Sequence, residues 1–286
     1  MVTKLTTTTE EIYGIAPVPI DPDNVPDRIP IEMLQAPTIE QISEFLKDLE
    51  AHLGDIVSLF MISNIPIRYD PANQRLFVAP DWYISFNVDI ETIRYETSYN
   101  EWEVGKPPEF ALEVASPSTF QRDVYEKPGI YARIGIDEYW MFDPTGGRLY
   151  GQALTGFRLV GGEYKPIETA PNEHGLESGY SEVLRLRMCS LERSRLSEME
   201  SIQPGMMLED DYNRARLLLQ DAETGLYLLG ARARIAQAER ADSERERAET
   251  RANLAETRAN LAETRAERAE SEVERLRERI RRMERG

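Results

Sequence analysis

Along residues 110–115 apolar positions alternate between two faces: Phe110, Leu112 and Val114 point one way, Ala111, Glu113 and Ala115 the other. A period of two is that of a strand. One carboxylate, Glu113, therefore falls in the middle of an otherwise apolar strand. Burying it between two alanines is costly unless a metal, a lysine or hydrogen-bond donors meet it. Further strand-like runs lie at 57–62, 65–69, 76–79, 82–88 and 138–143, with weaker ones at 149–152 and 157–160. Ile42, Phe45, Leu46, Leu49 and Leu53 form a stripe at helical spacing and predict a helix over 38–53 opened by Thr38. A second helical stretch starts at Ser118 or Thr119, reaches about Ile134 and stops at Gly135. Inside it Pro128 follows Lys127, and a residue before proline avoids the helical region. The helix either kinks there or restarts at Pro128, a residue suited to a first helical turn. Residues 180–230 show a mixed pattern. Helix, a run of strands, helix, strand predicts an α/β or α+β domain over 37–230, with a mixed central sheet flanked by helices.

Both ends differ from this body. Residues 1–36 are polar and interrupted by Pro17, Pro19, Pro22, Pro26 and Pro30, which predicts an extended arm. From Ala231 onward the chain is rich in Ala, Arg and Glu, without proline or aromatic residues. The unit Asn-Leu-Ala-Glu-Thr-Arg-Ala occurs at 253–259 and again at 260–266, a period of seven that predicts a coiled-coil helix over 231–286. Its seam runs through Ala248, Ala252, Ala255, Ala259, Ala262, Ala266, Ala269, Val273, Leu276, Ile280 and Met283. Arg251, Arg258, Arg265, Glu272 and Arg279 take the g positions, and Glu256, Glu263, Glu270, Arg277 and Glu284 the following e positions. Every g to e′ pair is then attractive in a parallel, in-register homodimer. The rival is a single solvated helix held by i,i+4 charge pairs, since alanine buries little area.

Charge is uneven. The chain of 286 residues carries −17 overall, but residues 231–286 hold 15 Arg against 13 Asp or Glu. That leaves 19 basic and 38 acidic residues in 1–230, a net of −19. Such a body repels nucleic acid at long range unless metal ions and a local basic patch overcome the repulsion. The one cysteine, Cys189, excludes an internal disulfide and reads as a small half-buried hydrophobe in a reducing compartment. With two histidines, His52 and His174, a histidine- or cysteine-rich zinc site is excluded, and no histidine near the motif supports a serine–histidine triad. No apolar run approaches the roughly 20 residues of a membrane helix, and the first residues lack a hydrophobic leader, so a cytoplasmic protein without membrane contact is expected.

Candidate chemistry centres on Glu113. The run 76–80 ends in Pro80 and is followed at once by Asp81 and the next strand. Pro-Asp between two strands, then Glu inside the next, sets two hard-oxygen ligands on adjacent strands for a divalent metal. A lysine nearby would orient water or stabilise the transition state. The PD-(D/E)xK nuclease core has this arrangement, though here Ala115 stands where that core places its lysine. Asp81 together with residues 107–144 resembles the Uma-two family of restriction endonucleases, in the PD-(D/E)xK nuclease-like superfamily. The matching residues are Glu113, Val114, Ser116, Pro117, Ser118, Thr119, Asp123, Lys127, Tyr131, Glu138, Tyr139, Trp140, Asp143 and Pro144. The resemblance spans roughly 38–230 and is sharp from Pro80 to Pro144. It implies a restriction-endonuclease-like fold, Mg2+ or Mn2+, and an active-site lysine moved to the following helix, here Lys127.

On this basis the expected activity is Mg2+-dependent DNA cleavage. Asp81, Glu113 and the Val114 carbonyl would ligate metal, and Lys127 would activate water. The alternative is a nuclease-fold domain that no longer cuts and serves as a dimeric interaction module. Each residue also has a structural reading. Glu113 could pair with Lys127 or Arg122, Asp81 could be a turn residue, and Lys127 could be a solvated helix lysine. Asp123 could orient Lys127 one turn away or ligate metal. Ser116, Ser118 and Thr119 are expected to cap the helix, and Tyr131, Tyr139 and Trp140 to lie in the core.

Overall fold

The computed structural model describes residues 65–93, 96–206 and 213–283, together with 59–62, 52–53, Thr38 and Leu49. The arm expected over 1–36 lies outside the described residues. So does most of the helix expected over 38–53, of which Thr38, Leu49 and His52 are helical. The chain divides into two compact units, Met1–Arg234 and Ile235–Gly286.

The first unit is built on a six-stranded mixed sheet. Its strands are β1 (Leu59–Ile62), β4 (Trp82–Phe86), β6 (Phe110–Val114), β7 (Glu138–Phe142), β8 (Leu154–Val160) and β9 (Glu163–Pro166), adjacent in that order. The pair β6 and β7 is parallel and the other neighbours are antiparallel. The parallel pair needs a crossover, and α3 (Phe120–Tyr125) with α4 (Lys127–Ile134) provides it. A small sheet of β2 (Ile67–Arg68), β3 (Phe77–Val78) and β5 (Tyr99–Asn100) lies before it in the chain, with short helices α1 (Ile90–Ile93) and α2 (Glu101–Val104).

The alternation seen in the sequence is the one the fold uses. Phe110, Leu112 and Val114 enter one core, and Ala111 joins Tyr131, Tyr139 and Ile134 in the core on the opposite face, beneath α4. The first core is closed by a second sheet that the mixed pattern of 180–230 did not reveal. It comprises β10 (Thr169–Pro171), β11 (Glu177–Ser181), β12 (Leu186–Glu192) and β13 (Ala215–Asp221), all antiparallel. Leu186, Met188, Leu217 and Leu219 of that sheet meet Trp140, Phe142 and Leu154 of the first. Its outer face packs Cys189, Leu191 and Leu218 against Met199 of α5 (Leu196–Ile202) and Tyr227. Burial pushes the Cys189 thiol up to about 12, so it is an inert core group.

Glu138 pins the two sheets together. Its carboxylate accepts Arg158 Nη2 at 2.9 Å, the Glu182 amide at 2.9 Å, the Ser181 hydroxyl and the Trp140 indole N–H at 3.1 Å. Trp140 lies between the sheets in a slot made by two glycines. A β-carbon on Gly156 would stand 2.7 Å from the indole, and one on Gly179 2.9 Å from it.

One expected strand is absent. Residues 149–152 form a turn because the Asp143 carboxylate takes the amides that a ladder would have used. It accepts from the Thr145 amide at 2.9 Å, the Leu149 amide at 2.6 Å and the Tyr150 amide at 3.1 Å. The second unit is the continuation of one long helix, α6 (Ala231–Met283). Among its apolar side chains Leu254, Leu261, Val273, Leu276, Ile280 and Met283 are exposed.

The tryptophan slot gives a direct test. Gly156→Ala should force the indole or its strand aside and cost about 1–3 kcal/mol, as overpacking of a full core does. Urea denaturation should show a lower midpoint with an unchanged slope, and an unchanged midpoint would contradict the slot.

Candidate active site

The site grows from the register of β4 on β6. Trp82 pairs with Leu112, so one more step along the ladder sets Asp81 opposite Glu113. The Val114 amide donates to Asp81 Oδ2 at 2.7 Å, and the Asp81 amide lies 3.4 Å from Glu113 Oε2.

From the opposite side the crossover helices supply the partners. Lys127 Nζ lies 2.7 Å from Glu113 Oε2 and 2.8 Å from Asp123 Oδ1. The Tyr131 hydroxyl donates to Glu113 Oε1. Asp123 on α3 and Lys127 and Tyr131 on α4 are spaced four residues apart, and their side chains converge on Glu113 and Lys127. The open question about Pro128 is resolved in favour of a restart: α3 ends at Tyr125, Glu126 caps it, and α4 begins at Lys127 with Pro128 in its first turn. The break leaves the four-residue step from Asp123 to Lys127 intact. Gly135 ends α4 in the left-handed conformation at φ 90°, its amide donating to the Tyr131 carbonyl.

A second ring of contacts fixes Asp123. The Tyr150 hydroxyl donates to Asp123 Oδ2 at 2.8 Å, and the Tyr139 hydroxyl to the Asp123 carbonyl at 2.7 Å. Tyr150 is placed by the turn that Asp143 organises. Burial lifts the Tyr131 and Tyr150 phenols well above their usual range, so both remain donors. Reasoning from sequence placed Tyr131 in the core but missed its hydroxyl's partner, and it did not single out Tyr150. The four-residue spacing of Tyr131 from Lys127 was the available signal for the first. For Tyr150 there was none, because its link to Asp123 depends on the turn.

Other expectations fall out differently. Arg122 pairs with Glu126 at 3.3 Å, not with Glu113. Ser116 bonds to the hydroxyls of Ser118 and Thr119, at 3.0 and 2.8 Å, and no side chain caps the first amides of α3.

Electrostatics set the character of the cluster. Glu113 is fully buried, and desolvation pushes its carboxyl up to about 8, against the pull of Lys127. Burial also raises Asp81, against the Val114 amide and Lys127, which lower it. Burial works against the Lys127 ammonium, but Glu113 and Asp123 outweigh it and hold its pKa above the usual value. Three carboxyl groups share a single ammonium.

Among the described residues no group of three His, Cys, Asp or Glu side chains is arranged to hold a metal ion. A metal here would rest on Asp81, Glu113 and a backbone oxygen. That all-oxygen donor set is of the kind a hard divalent cation takes.

The family described as Uma2, putative restriction endonuclease, matches residues 32–188, more than half of the chain. The chain belongs to this family. It is also similar to a solved structure, a putative nuclease belonging to DUF820 from Anabaena variabilis ATCC 29413. The identity is 13% and the TM-score 0.29, over 46% of this chain and 72% of that one. None of the curated proteins matches. No helix among the described residues is long and apolar enough to cross a membrane.

The raised Glu113 carboxyl predicts a pH dependence of stability. Below its ordinary value of 4.5 the group is protonated in both states. As pH rises toward about 8, the unfolded chain releases a proton that the folded one keeps, so metal-free stability declines across that window. Thermal midpoints in EDTA should fall from pH 5 to pH 8 in the wild type, and the slope should flatten in Glu113→Gln. Parallel slopes in the two proteins would refute the raised value.

Proposed function

We propose that this chain is a divalent-metal-dependent endonuclease acting on the phosphodiester bonds of DNA, with Asp81, Glu113 and Lys127 as its catalytic residues. The observation that carries the reading is the cluster itself: Asp81 and Glu113 on adjacent strands and Asp123 on the crossover, gathered about a single lysine. Mg2+ or Mn2+ is the proposed cofactor, held by Asp81, Glu113 and the Val114 carbonyl, and when bound it would polarise the phosphate and its attacking water.

The protein's own groups then have distinct tasks. Asp81 and Glu113 would hold the cation as ionised carboxylates, so binding would be favoured at higher pH. Tyr131 holds Glu113 Oε1 and so fixes the plane of the carboxylate. Lys127 places its ammonium beside Glu113, where negative charge develops on the phosphate oxygens during in-line attack. Asp123 keeps that ammonium charged and in position, and Tyr150 keeps Asp123 in position. Lys127 is the residue whose removal separates the roles, because it supplies charge without ligating metal. Lys127→Ala should lower plasmid cleavage in Mg2+ or Mn2+ roughly a hundredfold or more. The stabilisation by millimolar Mn2+ in a thermal melt should persist. Cleavage at the wild-type rate would remove the lysine from the mechanism.

The second reading, a non-cutting dimeric module, is favoured by one observation. Both Glu113 oxygens already have partners in Lys127 and Tyr131. Absence of cleavage by the wild type in both metals would select it.

Under either reading the partner we propose for α6 is a second copy of the chain. The seam residues Val273, Leu276 and Ile280 are exposed on the single helix, and parallel pairing would cover them while joining opposite charges at g and e′. Two nuclease domains would then be joined, as cutting both strands of a duplex requires. Sedimentation should give a dimer for the full chain and a smaller species after truncation at Gly230. A full-length monomer at tens of micromolar would leave the single solvated helix.

A further inference from the structure

A nuclease whose body carries −19 needs a place where a polyanion is welcome. In the body acidic residues outnumber basic ones 38 to 19, so an arginine left without a carboxylate is against the odds. A cavity of about 630 Å³ gathers four arginines, Arg148, Arg193, Arg195 and Arg214, against two carboxylates, Glu177 and Glu192. Arg195 is committed to the wall: it pairs with Glu198 at 3.0 Å and donates to the carbonyls of Gly175 and His174. Arg193 and Arg214 are exposed, and the side chain of neither makes a hydrogen bond or ion pair with any described residue.

The cavity also has a defined place relative to the cluster. The amides of Arg214 and Ala215 both donate to the Pro144 carbonyl, at 2.9 and 3.1 Å, and the Arg193 amide donates to the Arg214 carbonyl at 2.8 Å. Pro144 begins the turn that follows β7. Because β7 runs parallel to β6, that turn leaves the sheet at the end where Glu113 and Val114 lie. The same turn carries Arg148 into the cavity wall and Tyr150 to Asp123. One loop therefore lines the arginine cavity and braces the residue that holds Lys127.

We infer that this cavity, through Arg193 and Arg214 with Arg148 beside them, grips the phosphate backbone of the DNA duplex that the carboxylate cluster cuts. Guanidinium forks match phosphate oxygens in pairs and stay charged at any working pH. They would supply the local positive field that the composition of the body otherwise denies. The inference rests on the nuclease reading for the identity of the polyanion.

The test is binding of a fluorescent duplex by the full-length protein in EDTA, followed by anisotropy against salt. Arg193→Ala/Arg214→Ala should weaken binding about tenfold or more at low salt. It should also flatten the log–log salt dependence by about two, near 0.9 for each phosphate that is no longer neutralised. Arg75→Ala, which removes the same charge from an exposed turn that does not line the cavity, should change affinity less than about twofold. If the double variant melts early, Arg193→Glu gives the same reading from a side chain without partners among the described residues. Unchanged affinity in these variants would overturn the inference. So would equal competition by inorganic phosphate, which marks a small-anion pocket, or tighter binding of RNA than of the duplex. Tight arginine-dependent binding without cleavage in Mg2+ or Mn2+ would keep the inference and refute the nuclease. Cleavage with an unchanged KM in the double variant would do the reverse.

Discussion

Glu113 sits in a strand whose other residues are all apolar, and the interaction that makes this tolerable is its contact with Lys127 at 2.7 Å. A carboxylate and an ammonium brought together out of water gain little over two hydrophobes, while removal of either one leaves a charge without a partner. Much of the surrounding fold follows from meeting that demand. The parallel pairing of β6 with β7 brings a crossover over the Glu113 face. The crossover is broken at Glu126 so that Pro128 can start the second helix. The four-residue step nevertheless keeps Asp123, Lys127 and Tyr131 on one side.

The pair is still not balanced. Asp81 and Asp123 add two more carboxyl groups, and burial pushes Asp81 and Glu113 toward their neutral forms. Burial is the larger cause of both shifts, and Lys127 opposes it. Support comes from outside the cluster, through Tyr150 and the turn that Asp143 ties with three backbone amides. That turn couples the geometry of Lys127 to the second sheet, because Pro144 also anchors the start of β13.

How much of this the sequence shows depends on whether the information is local. The alternation around Glu113 is local, since a strand's faces follow from its period. The spacing of Asp123, Lys127 and Tyr131 is local for the same reason on a helix. The pairing of Asp81 with Glu113 was suggested by Pro-Asp before a strand, and it requires only that β4 and β6 be neighbours. The second sheet was not legible. Its strands interleave charged and small residues with the apolar ones, as in Glu177-Ser-Gly-Tyr-Ser181, and their inward faces become meaningful only against Trp140. Residues 149–152 misled for a related reason: Leu149-Tyr150 reads as strand, but a side chain upstream claims its amides. The hydroxyl of Tyr150 and the gathering of Arg193 with Arg214 depend on contacts between distant segments, so no spacing along the chain announces them.

The central claim is that the carboxylate pair and its lysine form one cation-ready site. The most direct measurement is a crystal structure grown with millimolar Mn2+, read by the anomalous signal of the metal. The account predicts a peak bound by both Asp81 and Glu113, with the Lys127 ammonium still held by Asp123. Absence of a peak there, with Glu113 still held by Lys127 and Tyr131, would contradict it.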